Sequence, residues 1–195
     1  EQLARTLMPV GEYSKDRIRE MADEIGLLVA HKPDSQDICF VPDGDYASFI
    51  ENTTDQVLPT GNFVTPEGKV LGKHKGIIHY TVGQRKGLGL ALGYPAFVLE
   101  IRPETNEVVI GTYEESLTYT VRANELNFMS VEQITEPVRV FAKIRYNHKG
   151  AWCTVERTGE DEIVCTFDEP IRAATPGQAV VLYDGEYVLG GGTIL

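Results

Sequence analysis

The sequence has 195 residues, of which 42% are hydrophobic and 24% charged, a composition that is ordinary for a globular protein and excludes wholesale disorder. Its net charge of −11 argues against tight nonspecific binding to nucleic acid, and no DNA partner is expected. No run of about 18 apolar residues is present to span a membrane, and the first residues lack the basic start and apolar centre of a signal peptide. Three widely spaced cysteines do not form a disulfide framework, so we expect a cytoplasmic protein.

Helices are predicted only in the first part of the chain. Ser14 is a good N-cap, and apolar residues at helical spacing predict one buried stripe on a helix over residues 14–28 that stops at Gly26. The stripe consists of Ile18, Met21, Ala22 and Ile25. A short apolar run at residues 38–41 predicts a strand, and residues 45–52 predict a second short helix.

From residue 59 onward the pattern is that of β-strands. Glycines and short apolar runs over residues 59–100 predict a small β-rich unit with mobile loops. Strands at 97–101 and 107–110 flank a turn, and residues 138–146 alternate between apolar and polar. Asp184 and Gly185 predict a hairpin with a type I′ turn. Strands at this spacing indicate a small closed barrel or a sandwich, in a fold that is mainly β with a small α+β portion.

The charges are unevenly distributed along the chain. No Asp or Glu occurs from Gly68 to Leu99 or from Val138 to Val155, although both windows contain several lysines and arginines. Basic stretches in an acidic protein predict a face that binds a polyanion, and the alternative is two solvated surfaces with chance clustering.

Cys39 is the strongest candidate for a reactive residue. It lies where a polar loop meets an apolar run, so its thiol could be an accessible nucleophile or sulfur carrier, and the alternative is a buried structural cysteine. Cys153 and Cys165 lie inside predicted strands and are expected to be core residues. The histidine and cysteine spacings predict no metal site, and the glycines between residues 83 and 93 do not form a dinucleotide fingerprint.

Several motifs in order resemble those of the bacterial tRNA-specific 2-thiouridylases. The matching strings are KPDSQDICF from residue 32, LGKHKG from 71, YTVGQRKGLG from 80, TPGQA from 175 and LGGG from 189. The resemblance covers essentially the whole chain. It implies a C-terminal part of such an enzyme, without the S-G-G-x-D-S nucleotide loop and the first catalytic cysteine of the family. Three domains are implied: residues 1–45 as the end of the ATP-pyrophosphatase domain, 46–100 as a central tRNA-binding domain, and 101–195 as a closed β-barrel.

The family replaces the 2-oxygen of the wobble uridine of certain tRNAs with sulfur, and the resemblance therefore implies a tRNA-uridine 2-sulfurtransferase. ATP, used with magnesium, adenylates the base in the full-length enzyme, and none is expected on this chain. The position of Cys39 matches the cysteine that carries sulfur as a persulfide, which a relay protein or a cysteine desulfurase delivers. The resemblance further implies that the family's first cysteine attacks at this sulfur, which either frees hydrosulfide or resolves the adduct into a disulfide.

The resemblance assigns tRNA contacts to Arg145, Tyr146 and Gln178 in the barrel. The basic windows add a loop that we expect to face tRNA, formed by His74, Lys75, Gln84, Arg85 and Lys86. Two other classes remain open: a non-enzymatic RNA-binding barrel, and a thiol-redox protein in which a second cysteine packs beside Cys39.

Overall fold

The computed structural model of this chain describes residues 5–32, 41, 45–54 and 59–195. The chain divides into two compact units, Glu1–Thr54 and Asp55–Leu195. With 41% of the described residues in strands and 14% in helices, the fold is mainly β, and the predicted fold class is confirmed. Neither α-helix in the described ranges has the length and apolar character that crossing a membrane requires.

Helix α1, Lys15–Glu24, begins and ends through the signals that the sequence contains. The Ser14 side chain accepts a hydrogen bond from the backbone N of Arg17, and Gly26, at φ 73°, turns the chain out of the helix. The predicted stripe is less buried than expected: Ile18, Met21 and Ala22 are half-buried, and α1 has no fully buried residue. Ile25 is already the C-cap residue and is 73% exposed, so it does not continue the stripe.

Helix α2, Tyr46–Thr53, confirms the short helix expected near residue 45. Asp45 is its N-cap residue, and its carboxylate accepts hydrogen bonds from the backbone N and the hydroxyl of Ser48. The strand predicted at residues 38–41 lies outside the described residues, apart from Val41.

A four-stranded sheet opens the second unit, in the order β2-β1-β4-β3, with β1 and β4 parallel and the other pairs antiparallel. Phe63, Val98, Val108 and Ile110 are the centre of its apolar core. The strands are β1 (Gly61–Val64), β2 (Val70–His74), β3 (Phe97–Arg102) and β4 (Glu107–Gly111). A 3₁₀ helix, Ile77–His79, follows β2, and another, Glu114–Ser116, follows β4.

The hairpin of β3 and β4 confirms the two strands predicted around residues 97–110. The domain boundary expected between residues 100 and 101 falls inside β3, so the hairpin does not follow the expected domain division. Parallel pairing of β1 with β4 joins residues on both sides of that boundary in one sheet. The amino-acid pattern of a strand does not reveal which sheet it joins, so this pairing was not predictable from periodicity.

Six further strands close into a barrel in the order β10-β5-β8-β7-β6-β9. Strand alternation explains its core: along β6, Val140 and Ala142 are buried, and Ile144 beyond the strand end continues the same inward series. The strands are β5 (Leu117–Phe128), β6 (Val138–Lys143), β7 (Ala151–Gly159), β8 (Glu162–Arg172), β9 (Ala179–Asp184) and β10 (Tyr187–Ile194).

The predicted hairpin near residue 184 is confirmed, but its turn is of another type. Asp184 pairs with Tyr187, so the two central residues are Gly185 and Glu186 rather than Asp184 and Gly185. Gly185 has φ 58° and Glu186 has no positive φ. A positive φ at the first central residue alone is typical of a type II′ turn, which favours glycine there.

Candidate nucleic-acid interface

The three residues expected to contact tRNA in the barrel line one cavity. Its volume is about 540 Å³, and Arg145, Tyr146 and Gln178 contribute to its wall although more than thirty positions separate the last from the first two. Strands β6 and β9 supply the other walls. The full lining consists of Lys143, Arg145, Tyr146, Gln178, Ala179, Val181 and Tyr183.

Antiparallel pairing of β6 with β9 builds this cavity. Lys143 lies opposite Val181, and Phe141 lies opposite Tyr183. Because Ala142 points into the barrel core, its neighbours along β6 point outward, and the outward face of β9 meets them. The outward side chains of β6 and β9 are therefore neighbours on the outer surface of the barrel, where they line the cavity.

Gln178 is held in this position by its backbone. Its N–H donates to the carbonyl of Thr175 at 3.1 Å, and its own carbonyl accepts from the N–H of Ile194 at 2.8 Å. These bonds fix the residue that precedes β9 against the last strand of the barrel. The amide side chain is left to the cavity, where it can donate to and accept from a polar ligand.

Arg145 is anchored by one of its two terminal nitrogens. Nη1 donates to the carbonyl oxygens of Arg172 at 3.1 Å and Ala173 at 2.9 Å. Within the described ranges, Nε and Nη2 have no hydrogen-bond partner. The guanidinium is thus oriented from one side, and its other edge is available for an anionic oxygen.

The cations of the cavity have no carboxylate to neutralise them. None of the lining residues is acidic, and neither Lys143 nor Arg145 forms an ion pair with any described residue. Three arginines elsewhere in the second unit do pair with acids. These pairs are Arg102 with Glu100, Arg122 with Glu162, and Arg139 with Asp168.

The pKa of His148 reflects the positive charge of Lys143 and Arg145. Its pKa is lowered, first by burial and then by repulsion from Arg145 and Lys143. Its Nδ1 is buried and has no hydrogen-bond partner in the part of the chain that the structure describes. A neutral imidazole beside two cations is consistent with a region that attracts anions rather than further positive charge.

Tyr146 stands at the rim of the cavity and is 95% exposed. The turn that carries it is closed by a hydrogen bond from the N–H of His148 to the carbonyl of Arg145 at 3.1 Å. An exposed aromatic ring next to unpaired cations is the combination that binds single-stranded nucleic acid, by stacking and by phosphate contact.

The basic loop predicted from the first acid-free window is only partly an exposed surface. Lys75, Arg85 and Lys86 are exposed. Gln84 is half-buried and holds the loop together, because its side chain accepts from the N–H of Thr81 and donates to the carbonyl of Lys86.

The predicted exposure of His74 is wrong. It is 2% exposed, at the end of β2, and its ring packs edge-on against Phe63 and Tyr80. Its Nε2 lies 3.1 Å from the carbonyl oxygen of Asn106, and its Nδ1 accepts from the N–H of Gly76 at 3.0 Å. Burial lowers its pKa. Strand alternation could have revealed this, because His74 lies between two exposed lysines.

Arg172 is a basic residue that the sequence interpretation missed. Its guanidinium lies 5.4 Å from the centroid of the Phe97 ring, and that of Arg85 lies 6.0 Å from the same centroid. Its carbonyl oxygen accepts from Arg145. Arg172 therefore lies between the cavity and the loop of Arg85, and no local pattern in β8 singles it out.

Cys39, the predicted sulfur carrier, lies outside the described residues. The other two cysteines are free and fully buried in the barrel core, which agrees with their expected role. Hydrogen bonding with Cys153 and burial raise the pKa of the Cys165 thiol. Among the described residues no group of His, Cys, Asp or Glu is arranged to hold a metal ion.

Three family models match successive parts of the chain. They are the tRNA methyl transferase HUP domain over residues 1–43, the tRNA methyl transferase PRC-barrel domain over 47–112, and the aminomethyltransferase β-barrel domain over 118–194. The second match ends directly after β4, and the third begins within the first residues of β5. The four-stranded sheet and the barrel thus correspond to separate family domains.

The chain is also similar over its whole length to proteins named tRNA-specific 2-thiouridylase MnmA. It is 62% identical over 195 residues to the one from Lachnoclostridium phytofermentans, of which it covers 55%. The proteins from Clostridioides difficile and Koribacter versatilis are 50% and 51% identical, and the chain covers 54% of each. It therefore spans about half the length of these relatives.

Proposed function

We propose that this chain, which belongs to the family of tRNA-specific 2-thiouridylases, supplies the tRNA-holding barrel and the sulfur-carrying cysteine of an enzyme that converts the wobble uridine of tRNA to 2-thiouridine. The observation that carries the proposal is the convergence of Arg145, Tyr146 and Gln178 on one cavity of the barrel. Residues expected to share a ligand, but distant in sequence, meet in a region of unpaired positive charge.

The cavity suits an RNA strand better than a small neutral ligand. Arg145 offers the free edge of an anchored guanidinium to a phosphate, and the exposed Tyr146 ring can stack on an unpaired base. Gln178 adds an amide that can bind a polar base edge. Bases of an anticodon loop are accessible in this way because they can be splayed out of the stack. The loop with Lys75, Arg85 and Lys86 adds a second exposed basic surface.

Cys39 supplies the sulfur in this proposal. The terminal sulfur of its persulfide attacks C2 of the activated uridine, and the original oxygen leaves with AMP. A second thiolate then attacks Sγ of Cys39 and breaks the sulfur–sulfur bond, which leaves 2-thiouridine and a disulfide. Alternatively, that thiolate first releases hydrosulfide, which attacks C2 itself. A sulfur-relay protein or a cysteine desulfurase loads Cys39.

ATP with magnesium provides the adenylation in the whole enzyme. The residues present here do not fit a nucleotide site, because the sequence contains neither an S-G-G-x-D-S loop nor a P-loop. Nucleotide binding is therefore left to the rest of the enzyme. The chain alone is expected to hold tRNA and accept sulfur, but not to adenylate uridine.

The decisive experiment replaces Cys39 by Ser in the complete enzyme. We expect 2-thiouridine formation to be lost, and mass spectrometry of the unsubstituted enzyme during turnover to detect an additional 32 Da on Cys39, about the mass of one sulfur atom. Cys165→Ala is the matched control, because it removes a buried thiol and should leave thiolation intact.

Unchanged thiolation in the Cys39→Ser enzyme would contradict this function and favour a non-enzymatic RNA-binding barrel. An extra sulfur found on Cys153 or Cys165 instead would also contradict it. Tight tRNA binding without any sulfur on Cys39 would retain the RNA-holding part of the proposal and remove the sulfur-carrying part.

A further inference from the structure

Two side chains in the walls of the RNA-binding cavity are not among the residues to which we assign tRNA contacts. Lys143 closes it on the side of β6, and Tyr183 closes it on the side of β9. Both residues are half-buried, and both belong to the outward faces of strands that pair directly. Lys143 belongs to the second basic window of the sequence, but neither residue was assigned a tRNA contact.

We infer that Lys143 and Tyr183 are further RNA-binding residues of this cavity. Lys143 binds the phosphate adjacent to the one that Arg145 binds, and Tyr183 forms the aromatic surface against which the nucleotide between these phosphates packs. The inference rests on the proposed function, and it defines how many phosphates and how much of one nucleotide the barrel holds.

The placement of Lys143 and Arg145 supports the two-phosphate arrangement. Lys143 ends β6 and Arg145 lies in the bend that follows, so the two cations flank the buried Ile144 and both line the cavity. Arg145 is oriented by the carbonyls of Arg172 and Ala173, which keeps its bound edge away from the cavity. A separate phosphate is therefore left for Lys143 rather than a shared one.

Charge supports the same conclusion. Three arginines of the second unit are paired with carboxylates, so their charges are balanced within the chain. Lys143 lines a cavity without any acidic residue and has no ion pair among the described residues. Its charge is left for a ligand, and it would repel Arg145 unless an anion bound between or beside them.

Tyr183 provides a surface that the exposed Tyr146 does not. It lies opposite Phe141 in the β6–β9 pairing, and Phe141 in turn contacts Trp152 with ring centroids 5.7 Å apart. Tyr183 thus ends a row of three aromatic residues across three strands. Its position on a paired strand makes it a fixed surface, and stacking on such a surface is tolerant of base identity.

The test measures how tightly the full 195-residue chain binds an unmodified tRNA transcript as the salt concentration rises from about 50 to about 200 mM. Phosphate contacts dominate the salt dependence of binding in this range. Lys143→Gln should weaken binding and reduce the slope of log K against log salt by about 0.7, the value for one phosphate of a single strand. Lys143→Arg should restore the slope. Arg122→Gln, on the same barrel but paired with Glu162, is the control and should leave the slope unchanged.

For Tyr183, replacement by Ala should weaken binding by about 10-fold with no change in the salt slope, since stacking carries no charge. Tyr183→Phe should bind like the unsubstituted chain. Thermal unfolding of each variant identifies any that has failed to fold. If the Ala or Gln variant fails, the conservative variants test the inference instead. Loss of binding in Tyr183→Phe, or a changed salt slope in Lys143→Arg, contradicts the inference.

Failure of the inference can be distinguished from failure of the proposed function. If Arg145→Gln reduces the slope but Lys143→Gln behaves like Arg122→Gln, the cavity binds RNA without Lys143 and the inference is wrong. If Tyr183→Ala binds within twofold of the unsubstituted chain, the aromatic surface is wrong. If the unsubstituted chain shows no salt-dependent binding of tRNA at all, the proposed function itself is contradicted.

Discussion

Arg145 donates a hydrogen bond through Nη1 to the carbonyl oxygen of Ala173 at 2.9 Å, and Ala173 is one of three non-glycine residues with positive φ in the described ranges. At φ 55°, Ala173 holds an uncommon backbone conformation directly after β8. Its carbonyl also accepts from the hydroxyl of Thr175, and its N–H donates to the carbonyl of Ser116. The backbone bend at Ala173 therefore positions the guanidinium that we assign to RNA.

Replacing Arg145 by Lys should weaken tRNA binding by about 10-fold or more, although the charge is retained. An ammonium group cannot bond both carbonyls and still present a fixed edge to a phosphate, and losing a charge-assisted hydrogen bond costs about 1.5–3 kcal/mol. Titration of tRNA at fixed salt measures the effect. Arg122→Lys is the control, because Arg122 is on the same barrel but paired with Glu162. Equal affinity of both variants would contradict the anchoring role.

Gly83 packs against the same bend, and its replacement by Ala should destabilise the chain by about 2 kcal/mol or more. Gly83 has φ +85°, and a Cβ added there would lie 2.7 Å from the Cβ of Ala173. The free energy of unfolding, from denaturant titration, measures the loss. Gly68→Ala separates the two causes, because Gly68 has φ +87° but nothing within 4 Å of an added Cβ. If the two variants lose the same stability, the contact with Ala173 contributes nothing.

Local patterns predicted the parts of this fold that depend on neighbours along the chain. The alternation along β6 gave its inward and outward faces, and Ser14 and Gly26 marked the ends of α1. The cavity could not be predicted in this way, because Gln178 meets Arg145 only when β9 pairs with β6 and closes the barrel. Closure depends on burying the whole core at once, and no single segment encodes it.

The basic loop failed as a prediction at one residue for a similar reason. The prediction grouped His74 with the lysines beside it because all of them lie in the first acid-free window. Alternate residues of a strand, however, point to opposite faces. The buried side is completed by Phe63 and Tyr80, which come from outside β2. Charge along the sequence thus located the basic segment, but only pairing decided which of its members are exposed.

The buried His74 should make the stability of the chain depend on pH. Its pKa in the folded state is lowered, chiefly by burial, so below about pH 6.5 the unfolded state takes up a proton that the folded state does not. Stability is therefore fully present above that pH and falls as the pH is lowered through it. His148, whose pKa is also lowered, contributes in the same direction. Urea unfolding at several pH values should show this decline.

His74→Gln provides the check on that prediction. The amide is neutral throughout the range and can donate to the carbonyl of Asn106, as the ring Nε2 does. The variant should lose less stability between pH 7.5 and 5.5 than the unsubstituted chain, in a range that brackets the ordinary histidine pKa of about 6.5. An equally steep decline would mean that other groups, His148 first among them, account for the pH dependence.

The two barrel cysteines should be inert packing residues, in contrast to Cys39. Cys153 and Cys165 are 0% exposed, and hydrogen bonding and burial raise the pKa of Cys165, so its thiolate is scarce near neutral pH. In the folded chain both should resist a thiol reagent that labels them fully after denaturation. The double variant Cys153→Ala, Cys165→Ala should lose about 1 kcal/mol per residue and keep tRNA binding, because neither lines the cavity. Rapid labelling of either thiol under native conditions would contradict the packing role and return them as candidates for sulfur exchange with Cys39.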